Sequence, residues 1–281
     1  MSRTPLRSLV VPILAGQLAW LAAPSLGAQS AETVTLRGTE VAIYNLAGVV
    51  RVERGGGREV TVEVRRGGRD GAKLKLESGD LKGRATLRVL YDADQVVYPK
   101  LGRWSNSTLS VANDGTFGDG DSRWRPWGRG GRVRISGSGD GLEAWADLLV
   151  RVPPGIGLRL RHGVGEVHVD GTEAKLDIDV AAATVDVSNT KGGLSIDAGS
   201  GGVTITGAAG DISLDLGSGS ARLSRVAADE LTMDVGSGGV TGDNISVAGR
   251  FSLDAGSGSC EFTQLTARRS RIDVGSPVSL T

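Results

Sequence analysis

Residues 194–207 read LSIDAGSGGVTITG, and similar phrases return at 212–225 (ISLDLGSGSARLSR), 231–244 (LTMDVGSGGVTGDN) and 251–264 (FSLDAGSGSCEFTQ). Less regular versions occupy 158–171 and 176–189, and a shortened one occupies 270–281. The small residue at the centre of each phrase recurs at Gly163, Ala181, Gly199, Gly217, Gly236, Gly256 and Gly275. These positions are separated by 18, 18, 18, 19, 20 and 19 residues. A period of this kind is typical of a solenoid, whose units bury an apolar face only by stacking.

Within one unit the apolar period is two. Leu194 and Ile196 alternate with polar residues, and Val203 and Ile205 do so after the glycine turn at 199–202. Alternation predicts strands, and frequent glycine disfavours helix. We therefore predict an all-β fold, a single-stranded β-helix-like β-solenoid with coils of 18 to 20 residues. The predicted inward columns are Leu176, Leu194, Ile212, Leu231 and Phe251, and then Ile178, Ile196, Leu214, Met233, Leu253 and Ile272.

The composition excludes several functional classes. Glycine accounts for 44 of the 281 residues, and Trp, Tyr and Phe together for only 11 (5, 3 and 3). Lys plus Arg equal Asp plus Glu at 32 each, which offers no basic field for nucleic acid. One cysteine and two histidines cannot build a closed zinc site or a disulfide framework. We predict no metal, no cofactor and no nucleic-acid partner.

Residues 1–28 have the pattern of a signal peptide. Arg3 and Arg7 precede an apolar run from Leu9 to Ala23, and small residues around Ala28 suit cleavage there. The run's 15 residues fall short of the roughly 20 that span a bilayer, so a membrane anchor is the weaker alternative. No later stretch could form a transmembrane helix. We expect the mature protein to be exported, to the periplasm, to the cell surface or into the medium as a secreted protein.

Three segments follow the signal peptide. Residues 29–98 hold alternating strands such as Val41–Asn45 and Glu59–Val64, divided by glycine-rich turns, and we interpret them as irregular β coils. The alternation of apolar and polar residues is lost in 99–132, which is rich in Gly, Trp and Arg. We therefore predict a long loop insertion there. Residues 133–281 carry the regular solenoid repeats.

The stretch DLLVRVPPGIGLRLRHGVGEVHVDG (147–171), the repeats after it and the opening GTEVAIYNLAGVVRVERGGGREVTVEV (38–64) resemble the bacterial DUF4097 family. The resemblance covers most of residues 33–281. It implies an exported β-strand repeat protein at the cell envelope, and members of the family are often labelled adhesins. Its motifs are repeat patterns, so it transfers no binding residues, and the segment 99–131 does not match it.

An acidic ladder accompanies the repeats, with one aspartate two residues before each central small residue: Asp179, Asp197, Asp215, Asp234, Asp254 and Asp273. We predict a structural turn role in which these carboxylates accept N–H bonds from the Gly-Ser-Gly turn. Cation binding and substrate contact are the alternatives. Calcium-binding nonapeptides place their aspartate after the glycines, whereas here it comes before them.

The insertion concentrates the residue types that dominate binding hot spots. Its candidate partner-binding residues are Trp104, Arg123, Trp124, Arg125, Trp127 and Arg129, with Arg103 and Arg132 nearby. The expected partner is a cell-surface glycan or an envelope protein. The alternative is that the tryptophans cap an open solenoid end.

Smaller features have structural interpretations. Asn113–Gly115 with Asp119–Asp121 is read as a polar turn, because it lacks the spacing of a calcium loop. His162 and His168 share strand parity with Glu166 and are predicted on the surface. Cys260, which we align with Gly202, Ala221 and Val240, is predicted to be a buried structural thiol.

No nucleophile elbow or phosphate loop occurs, so we predict a non-catalytic adhesin or scaffold. An envelope-stress or sensory accessory protein is one alternative. A polysaccharide-active β-solenoid enzyme is another, although such an enzyme needs unique acid and base groups instead of one aspartate repeated per coil. Edge-to-edge self-association is a further candidate interaction if the last strand is free.

Overall fold

The structure is a computed structural model, and it describes residues 31–119, 130–275 and 278–280. The predicted signal peptide lies outside the described residues. Ten strands precede the regular repeats: β1 (Glu32–Leu36), β2 (Glu40–Arg54), β3 (Val60–Gly67), β4 (Lys75–Leu81), β5 (Arg84–Leu90), β6 (Gln95–Val97), β7 (Asn106–Ala112), β8 (Gly130–Ser136), β9 (Leu142–Glu143) and β10 (Trp145–Val152). Short 3-10 turns occupy Gly71–Lys73 and Pro99–Leu101. Within the described ranges there is no α-helix.

The second half of the chain forms the solenoid. Its strands are β11 (Gly157–Asp170), β12 (Leu176–Ser188), β13 (Leu194–Ser200), β14 (Val203–Thr206), β15 (Ile212–Ser218), β16 (Ala221–Ala228), β17 (Leu231–Ser237), β18 (Val240–Ser257), β19 (Cys260–Val274) and β20 (Val278–Leu280). Each coil pairs in parallel with the next, so that Leu176 lies beside Leu194 and Leu194 beside Ile212. The β-solenoid prediction is confirmed.

The predicted inward columns are also confirmed. Leu176, Leu194, Ile212, Leu231 and Phe251 are all at most 3% exposed. In the second column only Ile272, on the last full coil, is half-buried. Burying one such aliphatic side chain contributes about 1.5–3 kcal/mol, so the stacked columns are the main source of stability.

Backbone N–H groups of the glycine turns form hydrogen bonds with carbonyl oxygens of the next coil. The Gly219 N–H donates to Ser237 O at 3.0 Å, and the Gly238 N–H donates to Ser257 O at 2.9 Å. Gly238 has φ +134°, and a Cβ there would lie 1.5 Å from Gly219 O. Only glycine fits, because the backbone of the preceding coil occupies the space of a side chain.

The first coil of the solenoid is β2, and its neighbouring coil, β11, is distant from it in sequence. It pairs in parallel with β11 from Glu40 beside Gly157 to Glu53 beside Asp170. Residues 55–156 therefore form an excursion between the first coil and the second.

Part of this excursion, together with β1, caps the exposed side of β2. Strands β5 and β10 flank β2 in parallel. Antiparallel strands then continue outward, β4 on β5, and β3 followed by β1 on β10. The interpretation of 29–98 as irregular coils is thus wrong for β1, β3 and β4, which pair antiparallel. Alternation specifies a strand and its buried face, but it does not specify the direction of the partner strand.

A separate four-stranded sheet has the order β7-β8-β6-β9. β7 lies within the predicted loop 99–132 and pairs antiparallel with β8, from Asn106 beside Ser136 to Ala112 beside Gly130. The prediction of a loop throughout that segment is therefore wrong at 106–112 and at 130–132. The short alternation of Leu109 and Val111 was obscured by polar and glycine-rich flanks.

A buried polar network joins β2, β10 and β11. The Asn45 Nδ2 group donates to Ala146 O at 2.8 Å, and the Tyr91 hydroxyl donates to Asn45 Oδ1 at 3.0 Å. His162 is fully buried, with its Nε2 atom 3.1 Å from Gly48 O. Its predicted surface position is wrong, because the inward positions change parity after Val164, from even-numbered to odd-numbered residues, so His162 and His168 do not share a face.

Cys260 is 2% exposed, which confirms the buried thiol. It pairs with Val240, which in turn is beside Ala221, and Ala221 pairs with Val203. The column therefore contains Val203 in place of Gly202. The varying coil length displaced the sequence alignment by one residue.

Candidate functional site

A cleft of about 640 Å³ lies where the excursion meets the corner of the second, third and fourth coils. We call it the Trp104 cleft. One wall comes from residues 98–106 and the floor from residues at the coil corners. The lining residues are Tyr98, Lys100, Leu101, Trp104, Ser105, Asn106, Gly165, Glu166, Ala182, Ala183, Thr184, Ser200 and Gly201. Its volume lies within the range of about 300–1,000 Å³ found for small-molecule sites.

Trp104 stands on a hydrogen-bonded turn at the rim. The Ser105 N–H donates to Gly102 O at 3.0 Å, and the Gly137 N–H donates to Ser105 O at 3.1 Å. The Ser138 hydroxyl donates to Arg103 O at 2.7 Å. The turn is therefore fixed to the chain after β8. Its tryptophan is 90% exposed, the one large hydrophobic side chain exposed among the described residues.

The floor is made of small residues because the coil corners pack backbone against backbone. Gly165 is in register with Ala183, and Ala182 is in register with Ser200. Gly165 has φ +128°, and a Cβ there would lie 1.9 Å from Gly48 O. The corner thus presents a shallow shelf bordered by the hydroxyl-bearing residues Thr184 and Ser200.

Tyr98 lines the same cleft and is almost completely buried, at 1% exposure. Its ring packs edge-on against Trp145 with centroids 5.7 Å apart. Its hydroxyl has no hydrogen-bond partner among the described residues. Burial raises the pKa of Tyr98 to about 12, and the charges of Asp147 and Glu166 act in the same direction. The hydroxyl is therefore a neutral group left without a partner.

Beside the cleft, Glu166 belongs to a polar cluster on the outer face. His168 Nε2 lies 3.0 Å from Glu166 Oε2, and His168 Nδ1 lies 3.3 Å from Asp186 Oδ2. His168 is half-buried at the surface, so its predicted surface position is confirmed. The contact orients Glu166, the one carboxylate among the described residues of the lining.

A second polar cluster covers the beginning of the acidic ladder. Arg161 is 6% exposed and contacts Asp177 through two nitrogen–oxygen pairs at 2.9 and 3.2 Å. Its Nε atom lies 3.5 Å from Asp119 and 3.8 Å from Asp179. Burial alone would lower the pKa of Arg161, but its contact with Asp177 and the neighbouring carboxylates raise it.

Residues 117–119 of the excursion lie over this cluster. The Tyr44 hydroxyl donates to Asp119 at 2.7 Å, and Phe117 packs edge-on against the Tyr44 ring. Gly118 packs against Asp179 so closely that a Cβ there would lie 2.5 Å from its carboxylate. Burial raises the pKa of Asp179 to about 6, although the charge of Arg161 lowers it. Asp119 thus belongs to an ionic contact, while Asp114 forms the expected polar turn by accepting from Thr116.

The remaining ladder aspartates are in register and exposed, from Asp197 beside Asp215 to Asp254 beside Asp273. Their expected hydrogen bonds with the turn backbone do not form within the described ranges. The reason is that the strands continue through Gly-Ser, as in β13, and the turn amides donate to the next coil. In the same ranges, no group of three or more His, Cys, Asp or Glu side chains could hold a metal ion.

Of the six candidate partner-binding residues, only Trp104 is described. Arg123, Trp124, Arg125, Trp127 and Arg129 lie outside the described residues. The sequence analysis did not predict that Tyr98, Glu166 and the floor residues form one site. No local pattern connects them, because residues 98–106 reach the coil corners only through the tertiary fold.

The fold defines a β-solenoid protein with one capped end and a cleft at the side. No protein-family model matches the chain, so the DUF4097 resemblance is not confirmed, and no curated protein matches it. A solved structure described as a "putative cell adhesion protein from Clostridium sporogenes" is similar over 89% of this chain and 98% of its own. The identity is 9% and the TM-score 0.34. No helix in the described part of the chain is long and apolar enough to cross a membrane.

Proposed function

We propose that this chain is an exported, envelope-associated β-solenoid that binds a glycan or a protein at the cell surface and carries out no catalysis. The observation that carries the proposal is Trp104, held on a rigid turn and almost fully exposed beside a cleft. An exposed tryptophan is a typical binding anchor, and a fixed turn reduces the entropy lost on association.

The surroundings of the acidic residues support a non-catalytic role. Asp179 has the raised pKa of a general acid, but it lies under Gly118 and against Arg161 and is not among the residues that line the cleft. The exposed ladder aspartates repeat one environment from coil to coil. Acid–base catalysis instead requires carboxyl groups whose environments separate their pKa values within one site.

Binding is tested with the purified chain on whole bacterial or host cells. We expect Trp104→Ala to reduce bound protein several-fold, because truncating an aromatic anchor commonly costs more than about 1 kcal/mol. Arg222→Ala is the matched control, since this side chain is exposed and is not among the residues that line the cleft. The double variant Trp124→Ala with Trp127→Ala tests the remainder of the predicted contact loop. Binding equal to wild type in both tryptophan variants contradicts the proposal.

Export is tested by fractionating cells that express the chain and measuring the mass of the product. The expected product lacks residues 1–28 and is found outside the cytoplasm. An uncleaved product confined to the cytoplasm contradicts this part of the proposal. Replacing Arg3 and Arg7 with Glu is expected to reduce export by removing the positive start of the signal.

A further inference from the structure

We propose that the Trp104 cleft binds a short segment of a neutral glycan, with Trp104 stacking on a sugar ring and Tyr98 supplying a concealed hydroxyl partner. This inference rests on the proposed function and narrows its ligand to one chemical class. It is carried by the cleft's shape, by an unpartnered buried hydroxyl and by the balance of charge in the lining.

The shape suits a flat ligand. Trp104 offers an apolar aromatic face at the rim, and the floor of Gly165, Ala183 and Gly201 has no long side chain. A sugar ring has an apolar face of C–H groups and an edge of hydroxyls. It can therefore pack against the tryptophan while its edge meets the polar groups of Thr184 and Ser200.

Tyr98 provides independent support. Its hydroxyl is buried and lacks a partner among the described residues, which is unfavourable in the free protein. The residue lines the cleft, and the charge of the neighbouring Glu166 acts on its hydroxyl. A ligand hydroxyl can act as both donor and acceptor, so it would satisfy Tyr98 without bringing a charge into a buried position.

The lining charges favour a neutral ligand. Among the described lining residues, Lys100 is the one cation and Glu166 the one anion, so their formal charges cancel. Acidic glycans or phosphate groups are usually held by clusters of arginine or by bidentate contacts. No arginine is found among the lining residues that the structure describes.

The experiment begins with a glycan array of neutral, anionic and cationic oligosaccharides, probed with the purified chain. The neutral oligosaccharide with the strongest signal is then titrated calorimetrically against four proteins: wild type, Trp104→Ala, Tyr98→Phe and the control Arg222→Ala. We expect Trp104→Ala to weaken binding at least about tenfold. Tyr98→Phe should weaken it about three- to tenfold, as expected for one hydrogen bond.

The thermal midpoint separates a binding role of Tyr98 from a packing role. Tyr98→Phe keeps the ring against Trp145 and removes an unsatisfied hydroxyl, so it should not lower the midpoint of the free protein. Weaker binding with an unchanged or higher midpoint supports the inference. A lower midpoint with unchanged affinity overturns the role of Tyr98.

Failure of this inference differs from failure of the proposed function. Neutral glycans that bind equally well to all four proteins overturn the cleft assignment and leave a glycan-binding function in place. Recognition of charged glycans alone overturns the neutral chemistry. If no glycan binds but cells still bind the chain through Trp104, the glycan inference is wrong and a protein partner remains. Absence of both glycan and cell binding overturns the two proposals together.

Discussion

Asp179 and His162 occupy adjacent coils. Burial shifts their pKa values in opposite directions, so the two groups make the stability of the fold depend on pH with opposite sign. Burial raises the pKa of Asp179 to about 6 and lowers that of His162 to about 4. In both cases burial disfavours the charged form. Asp179 therefore favours folding at low pH, and this contribution is lost as the pH rises from about 4 to about 6. His162 contributes stability above about pH 6.5, which is lost as the pH falls towards 4.

Asp179→Asn removes the first of these effects. We expect the variant to be more stable than wild type by on the order of 2 kcal/mol at pH 7.5, because the amide carries no charge to desolvate. The advantage should shrink as the pH falls from about 6 to about 4. Urea unfolding at a series of pH values measures the difference. Asp215→Asn, on an exposed aspartate of the same ladder, is the matched control. An advantage for Asp179→Asn that does not vary with pH contradicts the explanation.

His162→Gln tests the opposite dependence. Glutamine can still donate to Gly48 O, so the corner contact is retained while the titrating group is lost. Wild type should lose stability relative to this variant, by on the order of 3 kcal/mol, as the pH falls from about 6.5 to about 4. The readout is how the difference in free energy of unfolding between wild type and the variant changes with pH. A loss of packing alone would give a difference that does not depend on pH. Parallel curves for the two proteins would show that His162 is not the responsible group.

At the scale of the elements, each coil corner depends on a backbone approach that excludes side chains. Gly238 and Gly239 are adjacent in one turn but differ in their surroundings. A Cβ at Gly238 would lie 1.5 Å from Gly219 O, whereas a Cβ at Gly239 has its nearest neighbour at 3.6 Å. The glycine frequency of the repeats thus has two origins, and only one of them is a strict steric requirement.

Gly238→Ala should therefore destabilise the solenoid by more than about 2 kcal/mol, because it combines a positive φ with a backbone collision. Gly239→Ala should change stability by less than about 1 kcal/mol. Denaturant midpoints for the two variants provide the comparison. Equal losses at the two positions would show that the corner relaxes more easily than the register indicates.

At the scale of the whole molecule, the two ends of the column differ. Strands β4 and β5 and strands β10, β3 and β1 cover the first coil. At the other end, the part of β19 after Phe262 has no described partner on its outer side. Stacked repeats gain much of their stability from neighbours on both sides, so a coil with one neighbour should open more readily.

Hydrogen exchange should show this asymmetry. We expect amides of β11 and β12 to be the most protected and those of 263–274 to exchange fastest among the coils. Leu265 and Ile272 are only partly buried, unlike their counterparts in inner coils. Mass spectrometry of peptides from each coil measures the gradient. Uniform protection along the column would show that the chain unfolds as a single unit.

The edge of β19 also bears on self-association. Arg268, Arg269 and Arg271 are exposed on this last coil. Positive side chains on an edge strand oppose pairing with a second copy through repulsion. We expect the chain to sediment as a monomer, and replacement of the three arginines by serine to increase self-association. Wild-type dimers at low concentration contradict this expectation and support the candidate edge-to-edge contact.

The sequence by itself determined the solenoid, its inward columns and the buried position of Cys260. These are consequences of a repeated period, which places equivalent residues in register whatever the rest of the chain does. The direction of the capping strands, the burial of His162 and the cleft beneath Trp104 were decided only by the tertiary structure. Each depends on the return of residues 55–156 to the first coil. Alternation defines the faces of a strand, but contacts between segments remote in sequence decide which partner covers each face.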